Sequence, residues 1–283
     1  MIDLDLLIES AKELEPLPAS SSRLASMLTD INTPLHEIVK LVSFDQALTA
    51  RVLRAANSAL SGARAPITTI DAAVARLGPG TILALTVGSA VKGQMGGELP
   101  FYGLGEGELW KHSVAAALAA DLLRKRRPAK IPAEAFTAAL LHDLGKLVLG
   151  RYVRNELRQW FNRAEREGGL SRRAAEQELI EVNHAEIGGL IARDWGLPET
   201  ISWGITYHHD PRLATPGEGD PLCDTVFLSD VLAKEALGEL GPNDVPPGLD
   251  QEVMARFQIN DDDRAVLKQT IIDSLHEVMS WYD

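Results

Sequence analysis

The chain has 283 residues, 45% of them apolar, and a formal net charge of −12. That length suits one large domain or two small ones, and the negative charge argues against a nucleic-acid coat and against electrostatic docking on anionic membranes. A single cysteine, Cys223, excludes internal disulfides and cysteine-rich metal sites and fits a reducing compartment; with an acidic start lacking a signal-peptide pattern and no apolar run approaching ~20 residues, the expected location is the cytoplasm.

Almost every segment reads as helix, and no convincing alternating strand occurs. Residues 3–14 place Leu4, Leu7, Ile8 and Ala11 at helical spacing. A turn with Pro16 and Pro18 follows, and Ser20–Ser22 opens a helix through Leu24, Met27 and Leu28. Pro34 opens the next, through Ile38, Leu41 and Val42. Asp45 caps a helix through Leu48, Val52 and Leu53 to Asn57. Thr69 or Asp71 starts another across Ala72–Leu77, which Gly78-Pro79-Gly80 ends, and the apolar stretch Thr81–Lys92 reads as a buried helix. Residues 93–107 hold six glycines and one proline, the best internal boundary. It divides an N-terminal helical subdomain (1–95) from a helical bundle (96–283) that carries most of the histidines. Helices are expected there at about 107–126, 133–150, 152–167, 171–181, 184–194, 198–209 and 222–238, with loops at 211–221 and 241–250. The run Arg124–Arg127 reads as a helix C-terminus complementing the dipole, and Asp261-Asp262-Asp263 as the first turn of a last helix at 261–281.

The chemistry lies in the second half. Glu108 and His112, the pair His142-Asp143, His184, the doublet His208-His209 and Asp230 fall on helices or helix ends, at intervals that a helical bundle can fold onto one point. Imidazoles and carboxylates together suit one or two divalent metals such as Fe, Mn, Mg or Zn. Glu108 and His112 are four apart and so share a helix face, as do Asp230 and Lys234. Asp143 can bridge two metals or orient a water, and Lys146, four after His142, can neutralise a phosphate oxygen. Taken alone, His184 reads as a cap neighbour and Glu108 as a helix N-terminal charge. His36 and His276 have no partners and are assigned to the surface.

His142-Asp143-Leu144-Gly145-Lys146 resembles the signature of the HD superfamily of metal-dependent phosphohydrolases. The ordered set, Lys146 and Lys234 included, resembles the metal site of HD-GYP cyclic di-GMP phosphodiesterases. Leu14–Pro18, Asp45–Ser58 and Ile67–Gly78 resemble the HDOD domain, the HD-related output domain of bacterial signalling proteins, and the likeness spans about residues 10–210. It implies an all-α protein in which the N-terminal subdomain packs on an HD-type bundle. It also implies a signalling role, with metal held by Glu108, His112, His142, Asp143, His184, His208, His209 and Asp230. Any activity would be hydrolysis of a phosphodiester or phosphomonoester, with Asp143 and Lys146 as catalytic residues and a nucleotide or phosphate ester as ligand. The alternative is a non-catalytic output module acting through signalling protein partners, since many HDOD members have lost the ligands; nucleic acid and membrane are not expected partners. The chain departs from the HD-GYP pattern after His208-His209-Asp210, where Pro211–Pro221 contains no Gly-Tyr-Pro. Cyclic di-GMP is therefore expected to be turned over weakly or not at all.

Overall fold

In the computed structural model the described residues are 9, 11, 14–29, 33–127, 131–152, 159–161, 163–164, 169–215, 219–241 and 243–283. Most of the helices expected at 3–14 and 152–167 lie outside them. The fold is all-α. Among the described residues the one β-type pairing is an isolated bridge between Leu99 and Leu104.

Helices α1 (Ala19–Thr29), α2 (Leu35–Ser43), α3 (Gln46–Ala56) and α4 (Ile70–Met95) form the N-terminal part. Their starts follow the sequence signals: the Asp45 side chain accepts the Leu48 N–H at 2.9 Å, and Thr69 accepts that of Ala72. Within α4, Gly78 has φ 74 and ψ 168, so the rod breaks there and Pro79 restarts it. An apolar span of membrane length therefore does occur in α4, contrary to the reading of the sequence, but most of it is buried among other helices. At Gly80 an added Cβ would lie 2.2 Å from the Ala133 carbonyl oxygen, and at Gly88 it would meet Tyr282 and Leu140. These close approaches press α4 onto the second half of the chain, and one apolar cluster runs from Ala11 to Tyr282.

The second part comprises α5 (Glu108–Arg126), α6 (Ala135–Leu141), α7 (Lys146–Tyr152), α8 (Arg172–Ile180), α9 (His184–Asp194), α10 (Glu199–Thr206), α11 (Pro221–Leu237), α12 (Leu249–Arg256) and α13 (Asp261–Met279). α11 is its axis: every residue from Leu222 to Ala233 is buried, and it packs on α5, α6, α10 and α13. The triple aspartate opens α13, where Asn260 and Asp263 form a capping box. The basic run ends α5 and is consumed within the molecule: Lys125 pairs with Asp121, Arg126 with Asp263, and Arg127 donates to the carbonyls of Phe257 and Gln258.

Two expectations are corrected. The helix read at 133–150 is two helices, because over 141–147 the chain tightens into i→i+3 bonds, Leu144 N–H to Leu141 O and Lys146 N–H to Asp143 O among them. And the loop read at 241–250 gives way to α12, which starts after Gly248 in a left-handed conformation (φ 75).

Candidate metal centre

Five elements deliver the site. His112 comes from the buried, alanine-rich face of α5 and His142-Asp143 from the turn after α6. His184 is the first residue of α9, His208-His209 follow α10, and Asp230 comes from α11. The start of α9 is fixed by Asn183, whose side chain accepts the N–H groups of Ala185 and Glu186, while Glu186 returns to the Asn183 N–H at 3.0 Å. Glycine sets the distance to the turn. A Cβ on Gly145 would lie 2.0 Å from the His184 carbonyl oxygen and 2.7 Å from the Gly188 nitrogen, so only glycine lets α9 come this close to Asp143. In the same way Gly189 admits Thr206 and holds α10 against α9.

The imidazoles are oriented by their outer nitrogens. His142 Nδ1 donates to the Ala139 carbonyl and His208 Nδ1 to that of Ile205, each at 2.7 Å and three residues back. His112 Nδ1 faces Glu239 Oε2 at 2.9 Å, and His184 Nδ1 faces Glu176 Oε2 at 2.7 Å. With those partners taken, the Nε2 atoms all turn inward. His112 Nε2 lies 3.2 Å from His142 Nε2 and 3.1 Å from Asp230 Oδ1. His184 Nε2 lies 2.9 Å from His209 Nε2. Asp143 stands between these groups: Oδ2 is 3.4 Å from His142 and 3.6 Å from His112, and Oδ1 is 3.3 Å from His184 and 3.9 Å from His208. Each acid has its own lysine, Lys146 on Asp143 at 2.6 Å and Lys234 on Asp230 at 2.8 Å.

Burial opposes charge on both acids, yet Lys146 and His142 hold Asp143 well below the usual carboxylate range, and Lys234 and His112 do the same for Asp230. Burial also lowers His142, but Asp143 and Asp230 outweigh it and raise the ring to about 9. His208 and His209 are held well below 6.5 by burial and by the neighbouring imidazoles, which keeps them neutral and able to ligate.

The residues fit a divalent cation. Donor atoms sharing an ion at ~2.0–2.1 Å stand about 2.9–3.4 Å apart, and the inward nitrogens and carboxylate oxygens are spaced in that way. His208 Nε2 is buried and has no hydrogen-bond partner among the described residues, an orphan that needs an explanation in a centre this polar. Three triads have their ligand atoms within 4.8 Å of one another: His112, His142 and Asp230; His184, His208 and His209; and His142, Asp143 and His208.

Seven of the eight expected ligands thus converge. Glu108 is the exception: its side chain is exposed and turns back to accept the Gly105 N–H at 2.7 Å. It serves as a helix N-terminal charge, and the expectation that it shares the centre with His112 is corrected. The carboxylate on His112 is instead Glu239, 127 residues away in sequence and just past the Gly238 helix stop. Sequence reasoning also missed Glu176, and Tyr102, whose hydroxyl donates to Glu176 Oε1 at 2.8 Å. Nothing in the local pattern marks Glu239, and Tyr102 hides in the glycine-rich segment read as a boundary. His36 and His276 are exposed.

The centre opens into a cleft of about 530 Å³ lined by Tyr102, Lys146, His184, His209 and Lys234 at its base. Leu170, Arg173, Val245 and Pro246 line it as well. Lys146 and Lys234 are paired and Arg172 lies over the rings of Phe101 and Tyr102. Arg173 forms no hydrogen bond or ion pair with any described residue.

Comparison with known proteins identifies the family and the fold. An uncharacterized protein of Treponema pallidum (strain Nichols) is 28% identical over 246 residues, covering 84% of this chain; the chain spans 46% of that protein's length. A solved HDOD domain protein of unknown function from Geobacter sulfurreducens is 27% identical with a TM-score of 0.70, and the match covers 99% of this chain and 98% of that one. A solved Shewanella amazonensis SB2B protein, provisionally named a phosphohydrolase, is 26% identical with a TM-score of 0.68 over 98% and 96% of the two chains. The family model of the HDOD domain matches residues 14–211, and on that match the chain belongs to the HDOD domain family.

Proposed function

We propose that this HDOD chain is a bacterial signalling protein that holds one or two divalent cations, of iron, manganese, magnesium or zinc, and hydrolyses a phosphodiester or phosphomonoester. Asp143 carries the reading: a buried carboxylate presents one oxygen to His112 and His142 and the other to His184 and His208. A group so placed has little value for packing, since burying a carboxylate is costly, and the imidazole nitrogens turned toward it make with it a donor set that suits a divalent cation. The orphaned His208 Nε2 supports the same conclusion. When bound, a divalent cation makes water nucleophilic near neutral pH and polarises a phosphate oxygen.

The chain's own residues supply the rest. Lys146 sits at the base of the cleft and can stabilise negative charge developing on a phosphate. Arg173, which forms no hydrogen bond or ion pair among the described residues, can bind a substrate anion, and Leu170, Val245 and Pro246 offer apolar lining for the group the phosphate carries. The provisional name of the Shewanella relative points to the same chemistry. The lone thiol of Cys223, buried and pushed up by its burial, suits a reducing cytoplasm.

The test is elemental analysis of purified protein, then a screen of cyclic and linear nucleotides and simple phosphate esters. Asp143→Ala should lose the metal and any turnover, whereas His36→Ala on the exposed surface should keep both. Wild-type protein that takes up no divalent metal would refute the proposal. A second reading, a metal-stabilised module acting through protein partners, draws on the segment after His209. There Pro211–Leu213 forms a single 3-10 turn stapled by the Asp210–Arg212 pair at 2.7 Å, where cyclic di-GMP hydrolases present Gly-Tyr-Pro. Bound metal without hydrolysis of any compound in the screen would favour it.

A further inference from the structure

Glu176 is fully buried on α8 and belongs to none of the ligand triads. Its carboxylate nonetheless accepts three hydrogen bonds. Oε2 accepts the His184 backbone N–H at 2.8 Å and the His184 Nδ1–H at 2.7 Å, while Oε1 accepts the Tyr102 hydroxyl at 2.8 Å. An ionised carboxylate only accepts, so all three protons point toward it. The proton on Nδ1 is thereby fixed there, and Nε2 is left with its lone pair toward Asp143 Oδ1 and His209 Nε2.

Tyr102 comes from a different part of the chain. It sits in the tight loop closed by the Leu99–Leu104 bridge, with Gly103 left-handed at φ 71, and the Gly107 N–H closes that loop on Gly96 O at 2.8 Å. Its ring meets the His184 ring edge-on at 6.3 Å, and Lys146 Nζ lies 5.5 Å above it. Two imidazole nitrogens facing each other at 2.9 Å share either a proton, as an N–H···N hydrogen bond, or a cation. A negative group behind His184 strengthens that nitrogen as a donor to a cation.

We propose that Glu176, held in place by Tyr102, is a positioning residue for the metal centre: it fixes the tautomer and ring plane of His184 and sets how tightly the His184–His208–His209 side binds its cation. The proposal rests on the metal reading above. It makes the glycine-rich 96–107 segment part of the site, because without the Tyr102 hydroxyl Oε1 would be a buried acceptor with no partner from that side.

The experiment measures bound metal directly. Wild type, Glu176→Gln, Tyr102→Phe, His184→Ala and the exposed Glu178→Gln on the same helix are loaded with Co(II) or Mn(II). Stoichiometry is read by elemental analysis, affinity by chelator competition, and ligand geometry by the Co(II) absorption spectrum. Gln keeps the shape and both acceptor contacts to His184 but removes the charge, so Glu176→Gln should fold and bind the His184-side ion about 10- to 100-fold more weakly, with an altered Co(II) spectrum. Tyr102→Phe should weaken it less, and Glu178→Gln should match wild type. If His184→Ala loses an ion while Glu176→Gln binds as tightly as wild type with the same spectrum, Glu176 is only structural and this proposal is overturned. If wild type binds no metal, the metal reading itself falls, and this proposal with it.

Discussion

Gly145→Ala should separate the two halves of the centre without touching a ligand. The added Cβ would sit 2.0 Å from the His184 carbonyl oxygen and 2.7 Å from the Gly188 nitrogen. Both are backbone atoms, which cannot swing aside as a side chain can. Ordinary carbon–oxygen contacts lie near 3.3 Å or beyond, so the turn and α9 must part by roughly 1 Å. Metal sites tolerate ligand displacements of only about 0.2 Å, and His184 would carry its Nε2 away from Asp143 Oδ1, now at 3.3 Å. The stability cost of such overpacking is about 1–3 kcal/mol, a fall of several degrees in Tm for a chain of this size. The comparison is Gly93→Ala, where an added Cβ meets nothing within 4 Å and the change should be neutral or slightly stabilising. Melting curves with and without chelator, together with metal content, give both numbers. Gly145→Ala protein that keeps its metal and melts within a degree of wild type would refute the claim that this glycine seats His184.

Further outcomes are expected at the same site. In protein freed of metal His142 stands at about 9, so cation binding at pH 7.5 should release protons, and affinity should climb with pH toward 9; calorimetry in two buffers of different ionisation enthalpy that shows no proton release would count against this. Because that folded value is raised above 6.5, the stabilisation it gives the metal-free form is complete below pH 6.5 and fades as pH rises toward 9, which melting curves of chelated protein should show. Arg173→Ala should raise KM severalfold for whichever phosphate ester is turned over and leave kcat nearly unchanged, since it lines the cleft and belongs to none of the triads; an equal loss in kcat would place it at the reacting group instead. Cyclic di-GMP turnover with Fe(II), Mn(II) or Mg(II) should be weak or absent, because a near-attack geometry is worth up to about 7–11 kcal/mol and the segment after His209 lacks Gly-Tyr-Pro. Robust turnover with any of the three, lost in Asp143→Ala, would overturn that expectation.

The sequence by itself determined the helical class, most helix starts and seven of the residues that converge on the candidate centre. Caps and apolar periodicity are local: Asp45, Thr69, Asn183 and Asn260 each bond N–H groups two or three residues ahead, so their signal lies in adjacent letters. Histidines and aspartates at hairpin intervals could be assigned to one point because a bundle brings such intervals together. Tertiary structure alone decided which carboxylates stand behind the imidazoles. Glu108, four residues from His112, has the right spacing, but its carboxylate turns outward to accept the Gly105 N–H in the loop ahead of α5. Glu239 and Glu176 reach His112 and His184 through the packing of α11 and α8, which no periodicity records. The break at His142–Gly145 was equally hidden, since an apolar helical run continues through it. What ends the helix there is the approach of α9, whose backbone lies where any side chain larger than that of Gly145 would have to be.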